Sequence, residues 1–173
     1  MTSQQSVERM TLGVIAEWRR LDLPWASERW TVAGVLPGLP NLAAWSVLDG
    51  SEGWRRYYAG PATVELFAGE TAGYRRNLLE HRPALYVILR RDRRPPGVAV
   101  HGATVDPGEV EVHADAGDDI IEALPLPDFL RAWVEGFVAR HHVDRPVWRR
   151  QRDRADLEAL GRRAPAASAG DAP

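Results

Sequence analysis

The 173-residue chain contains no cysteine and no lysine. Without cysteine there are no disulfides, thiolate nucleophiles, iron–sulfur clusters or cysteine-built zinc sites. Without lysine there is no Schiff-base chemistry and no phosphate-loop lysine. All 22 basic residues are arginine. No apolar run approaches the ~18 residues that a membrane-spanning helix needs. The opening MTSQQSVERM has no apolar stretch of the signal-peptide kind, so a reducing cytoplasm is the expected compartment. A net charge of −2 lacks the basic excess of a general nucleic-acid binder. Neither GxGxxG nor GxxxxGK[ST] occurs, which removes the usual cradles for a pyrophosphate. GxSxG is missing too, and Ser27, Ser46 and Ser51 have no context that marks a nucleophile.

Hydrophobic residues make up 45% of the chain and charged residues 27%, an ordinary globular balance. Residues 1–10 are polar and expected to be flexible. From Thr11 to Arg20, Leu12, Val14, Ala16 and Trp18 share one face, the period of a strand. Trp30, Val32, Gly34 and Leu36 repeat it after a loop carrying Pro24. A short strand is expected at 44–48. Two more are expected at 54–59 and 62–67, with Gly60-Pro61 as a hairpin turn. Tyr74 and Leu78 are spaced for a short helix ending before Pro83, which Gly73 weakens. ALYVILRR, residues 84–91, is apolar on both faces like a central strand, and 97–104 returns beside it. Residues 106–116 read two ways: Asp106, Pro107 and Glu109 have the form of an N-cap, a first-turn proline and a capping-box acid, which favours a short helix, but Val110 and Val112 alternate like a strand. A last strand is expected at 119–124.

Leu130, Trp133, Val134, Phe137 and Val138 form one helical stripe within 126–142. The sum is an α+β domain over 11–148, with a mostly antiparallel, curved sheet of about seven short strands that could close like a barrel. A basic tail at 149–163 and an Ala/Pro-rich, disordered tail at 164–173 follow.

The histidines, His81, His101, His113, His141 and His142, include no HxH, HxxxH or HExxH. Adjacent His141 and His142 project ~100° apart on a helix, so no metal site is expected. Glu17, Glu65 and Glu70 lie near strand ends without a pairing that suggests acid–base work. Clustered tryptophan and arginine are the informative feature. Trp18, Trp45, Trp54 and Trp133 fall in patterned elements and suit a core. Trp25 and Trp148 fall beside proline and arginine, outside the pattern, and tryptophan and arginine dominate protein–protein hot spots. The expected contact residues are Trp25, Arg29, Trp30, His141, His142, Trp148, Arg149 and Arg150, with Trp30 anchored inward and Trp25 and Arg29 forming a rim. An alternative, anion-binding set is Arg55, Arg56, Tyr57, Arg90 and Arg91.

Four strings in order, EWRRLDLPWASERWTVAGVLPG, ETAGYRRNL, PALYVILRR and WVEGFVARHHVDRP, resemble the proteobacterial family called domain of unknown function 3305. That resemblance implies no assigned reaction, catalytic residue or cofactor. It implies an association with formate dehydrogenase subunits and their maturation factors. The expectation is a non-catalytic accessory protein that binds a protein partner of this kind. Two alternatives are a binding or transferase protein for the molybdenum cofactor or its guanine nucleotide, and a regulatory sensor of a small anion such as formate. Some relatives are labelled as molybdopterin-guanine dinucleotide biosynthesis protein A, but TLGVIAEWRRLDL lacks the glycine-rich, lysine-bearing loop of that transferase.

Overall fold

The computed structural model describes residues 7–115 and 117–144. Among them, seven strands and three α-helices follow one another: β1 (Val7–Leu23), β2 (Ala26–Pro37), β3 (Ser46–Ser51), β4 (Trp54–Phe67), α1 (Thr71–Leu79), β5 (Ala84–Arg91), β6 (Val98–Thr104), α2 (Pro107–Ala114), β7 (Asp119–Pro125) and α3 (Asp128–His141). The larger sheet has the order β2-β1-β4-β3 and the smaller β6-β5-β7. Every pairing between strands is antiparallel. The α+β class is as expected, but the sheets remain two and do not close into a barrel. Every element named here belongs to one compact unit that ends at Val143. The expected basic and Ala/Pro-rich tails lie outside the described residues.

The alternation in β1 puts Leu12, Val14 and Ala16 into the core, all fully buried. Both neighbours of β1 bulge at the same level. Ile15 pairs with Gly34 and Ala16 with Val32, which leaves Ala33 extra on β2. Val14 pairs with Gly60 and Ile15 with Tyr58, which leaves Ala59 extra on β4. A bulge shifts the two-residue period by one. Hence Val35, not Leu36, packs against the core on β2. It also explains why Gly60-Pro61 is no hairpin turn: β4 runs through it as one strand. Gly60, at φ 125°, supplies the backbone conformation of the bulge. Pro61 falls beyond Tyr58, where pairing with β3 stops, so its missing N–H is lost from no ladder on that side.

β1 also begins earlier than the composition suggests. Val7 pairs with Phe67, and the Glu8 carboxylate accepts from Trp133 Nε1 at 2.9 Å and from Arg140 Nη2 at 2.8 Å. Residues 7–10 are therefore ordered by pairing with β4 and, through Glu8, by α3, tertiary causes with no local signal. Residues 21–29, read as a loop, are a tight β1–β2 hairpin in which Leu23 pairs with Ala26. β5 spans the expected residues and sits centrally in its sheet, with Leu85, Val87, Ile88 and Leu89 buried. The α3 stripe supplies Leu130, Val134 and Phe137 to the same core.

α1 is held by polar contacts and a close approach. Buried Asn77 donates to the carbonyls of Ala84 and Val105, both at 2.8 Å, and accepts from Ala84 N at 3.0 Å. One amide thus fixes the entry to β5 and the exit from β6. Tyr74 is buried and its hydroxyl accepts from Phe67 N at 3.0 Å; burial pushes its pKa up to about 12. Asp106 caps α2 by accepting from Gly108 N at 2.9 Å. The same carboxylate lies against Gly73: a β-carbon there would come within 2.5 Å of Asp106 Oδ1. Glu109 does not close the expected capping box. It accepts from the Thr104 hydroxyl, which in turn accepts from Asp106 N.

Gly73 therefore weakens α1 locally but permits its packing on α2. Gly73→Ala should destabilise the wild-type chain by about 1–2 kcal/mol, the worth of a displaced cap. In an Asp106→Ala background the same change should stabilise by up to ~1 kcal/mol, the ordinary helix preference for alanine. Urea midpoints of the four proteins measure both signs.

Candidate functional site

Directly opposed residues share a face of a sheet. Ala16 stands opposite Val32 and Tyr57, Trp18 opposite Trp30 and Arg55, and Arg20 opposite Glu28. The inner face of the larger sheet thus runs from aliphatic (Leu12, Val14) through aromatic (Trp18, Trp30, Tyr57) to charged (Arg20, Arg55, Glu28) towards the hairpin tip. That end forms a concavity of about 430 Å³, lined by these aromatic and charged residues together with Glu52 and Pro96. Arg20 N donates to Gly53 O at 2.8 Å, which ties the β1 end to the β3–β4 turn.

Trp30 is the anchor. It is 4% exposed, and its ring lies 5.6 Å from both Trp45, edge-on, and Tyr57. Trp45 reaches it from a left-handed backbone conformation, φ 68°. The Trp30 indole N–H has no hydrogen-bond partner among the described residues. Trp18 Nε1, in contrast, donates to Glu28 at 2.8 Å.

The arginines divide by face. On the outer face, Arg19 and Arg56 clamp the buried Glu17, with Arg56 Nε at 2.9 Å. Arg56 also lies 5.3 Å from the Trp54 ring centre and 3.7 Å from Asp49. Burial pushes the Glu17 carboxyl up, but the hydrogen bonds and charges of Arg19 and Arg56 outweigh it and hold it below the usual carboxylate range. On the inner face, Arg20 and Arg55 have no carboxylate partner among the described residues.

The expected contact residues do not form one patch. Trp25, in the β1–β2 turn, is 80% exposed. Trp30, Arg55 and Tyr57 meet at the concavity. Arg29 is exposed but stands opposite Arg19, on the face away from Trp30. His141 packs 4.5 Å from the Phe137 ring, and His142 Nδ1 lies 3.1 Å from the Thr71 hydroxyl, both at the far element α3 and its end. Trp148, Arg149 and Arg150 lie outside the described residues. In the anion-binding set, Arg56 is held by Glu17, Arg90 is bidentate to Asp119 at 2.7 and 2.9 Å, and Arg91 is an exposed strand end.

A second polar cluster was not foreseen. His101, Glu109 and His113 line a cavity of about 140 Å³ with Thr63, Glu65 and Thr104. The two imidazole rings lie 5.2 Å apart, and His113 Nδ1 is 3.1 Å from Asp119 Oδ2. The Arg90 hydrogen bonds hold Asp119 far below the usual carboxylate range. Burial, and then the charge of Arg90, lowers His101. No spacing in the sequence announces this cluster, because strand β6, helix α2 and strand β7 each contribute one part.

The profile of the family described as protein of unknown function, DUF3305, matches residues 11–152. The chain belongs to that family. Neither the curated proteins nor the solved structures yielded a match. Among its described residues this DUF3305 chain has no helix long and apolar enough to cross a membrane.

Because Glu17 is more acidic folded than unfolded, its contribution is present above the ordinary carboxylate pKa and disappears as pH falls through the lowered value. Glu17→Gln should cost about 1–3 kcal/mol at pH 7, the worth of hydrogen bonds to a charged group. The difference from wild type should shrink below about pH 4. Denaturant midpoints across that range measure it.

Proposed function

We propose that the chain is a non-catalytic recognition module that binds a protein partner through the hairpin-tip end of its larger sheet. One observation carries this reading: ring and guanidinium groups gather there, several of them with polar groups unpaired among the described residues. Trp25 projects from the turn, 80% exposed. Arg20 and Arg55 line the concavity beside Glu28 and Glu52 but form no ion pair, and the buried Trp30 N–H has no partner, among the described residues. A buried unpaired donor costs about 1–3 kcal/mol, which an acceptor from a partner would offset. Among the described residues, Leu23 and Trp25 put exposed large apolar side chains at the hairpin tip itself. Trp, Tyr and Arg in a desolvated pocket are the residue types of a binding hot spot.

Formate dehydrogenase subunits or their maturation factors are the partner class, on the strength of the family resemblance, and cytoplasmic action belongs to the same proposal. The molybdenum-cofactor reading is weaker. Of its arginines, Arg56 and Arg90 are committed to Glu17 and Asp119, and Arg55 shares its concavity with the carboxylates of Glu28 and Glu52, which disfavour a phosphate there.

Affinity purification of the full chain from native cells should enrich formate dehydrogenase subunits or maturation proteins. Trp25→Ala and Arg55→Ala should each reduce that enrichment ~10-fold or more, as truncation of a hot-spot residue does, with unchanged far-ultraviolet circular dichroism. Enrichment equal to a tag-only control, or indifference to both substitutions, would remove the proposal.

A further inference from the structure

Another concavity, of about 430 Å³, lies where the α1–β5 turn meets the end of β7 and the first turn of α3. Its charged side chains are Arg82 and Arg131, together with the imidazole of His81, and none of its lining residues is acidic. The concavity at Trp30 and the cavity beside α2 both hold carboxylates. Glu80, Glu122 and Asp128 are close in sequence to these residues but do not line the space. Among the described residues, neither Arg82 nor Arg131 is ion-paired to a carboxylate.

The walls are fixed by the fold itself. Glu80 N donates to Asn77 O at 3.1 Å, and the Asn77 amide bonds both N and O of Ala84, so residues 80–83 are tied at both ends. Leu126 N donates to Pro83 O at 2.9 Å, which joins this turn to the segment entering α3. Arg131 is half-buried, and its N donates to Pro127 O at 2.8 Å. Pro83 and Leu126 are buried and, with Leu124, give the space apolar walls. A site fixed in this way loses little conformational entropy when it is filled.

Two guanidiniums on one concavity repel each other, and an anion between them removes that cost. Guanidinium takes a carboxylate or a phosphate through paired N–H donors. Mostly apolar walls with a few convergent polar groups are the usual make-up of a small-molecule site. We infer that Arg82 and Arg131 bind a small organic anion: a carboxylate or phosphate head on a short apolar body that packs against Pro83, Leu124 and Leu126. His81 supplies a further hydrogen-bond donor to the head. This concavity shares no lining residue with the one at Trp30, and either site can fail without the other.

Calorimetric titration of the full chain at low ionic strength tests the inference, with hexanoate and hexyl phosphate as amphipathic probes, acetate and inorganic phosphate as heads alone, and hexanol as the body alone. The expected result is one saturable site for hexanoate or hexyl phosphate. The matching head alone should bind at least ~10-fold more weakly, because it buries no apolar chain, and hexanol should not bind. Arg82→Gln and Arg131→Gln should each weaken the amphipathic probe ~10-fold or more, the worth of a hydrogen bond to a charged group. Arg20→Gln/Arg55→Gln should bind like wild type. Arg82 is exposed, so its variant remains informative even if Arg131→Gln fails to fold. No saturable binding of either amphipathic probe, equal affinity for the head alone or for hexanol, wild-type affinity in both Arg82→Gln and Arg131→Gln, or loss only in the Arg20/Arg55 variant would overturn the inference.

Discussion

β1 carries the fold. It pairs with β2 on one side and β4 on the other along most of its length, and both partners place their extra residue beside Ile15. The two bulges let one regular strand serve two surfaces. On one side of that level, the inner face is aliphatic and buried. On the other, the face of Trp18, Trp30 and Tyr57 opens to a concavity. If the bulges were absent, the period of β2 and β4 would turn Trp30 and Tyr57 towards the outer face, because a shift of one residue inverts a strand.

Rigidity comes from where polar groups are placed. Asn77 satisfies three backbone groups at the junction of α1, β5 and β6, and Glu8 ties α3 to the first residues of β1. Glu17 holds Arg19 and Arg56 on the outer face, which leaves Arg20 and Arg55 on the inner one. Recognition by a fixed surface loses less conformational entropy than recognition by a loop. The aromatic cluster of Trp30, Trp45 and Tyr57 makes this part of the larger sheet such a fixed surface.

Much of this was legible from local pattern. β5, α3 and the Asp106 cap follow from apolar spacing and first-turn chemistry, whereas the place of Trp25 beside proline, outside any period, left its exposure open. What local pattern could not convey were the bulges at Ala33 and Ala59, since a bulge is set by register against a neighbour. That is why Gly60-Pro61 looked like a turn and Leu36 looked inward. Gly73 looked like a defect because Asp106, 33 residues away, is what it accommodates. Arg55 and Arg56 are adjacent in sequence but differ in role because they project to opposite faces. His101 and His113 meet only through the β6–α2 turn, so no histidine motif could mark them.

The account rests on the hairpin tip and its concavity being a surface that meets another protein. Photo-crosslinking tests this most directly: a photoreactive amino acid is placed at position 25 in the cell, and in a parallel strain at position 79, where Leu79 is equally apolar and 75% exposed. The account predicts a discrete crosslinked species from position 25, identified by mass spectrometry as a formate dehydrogenase subunit or maturation protein, and none from position 79. No crosslink from position 25, or the same products from both positions, would contradict it.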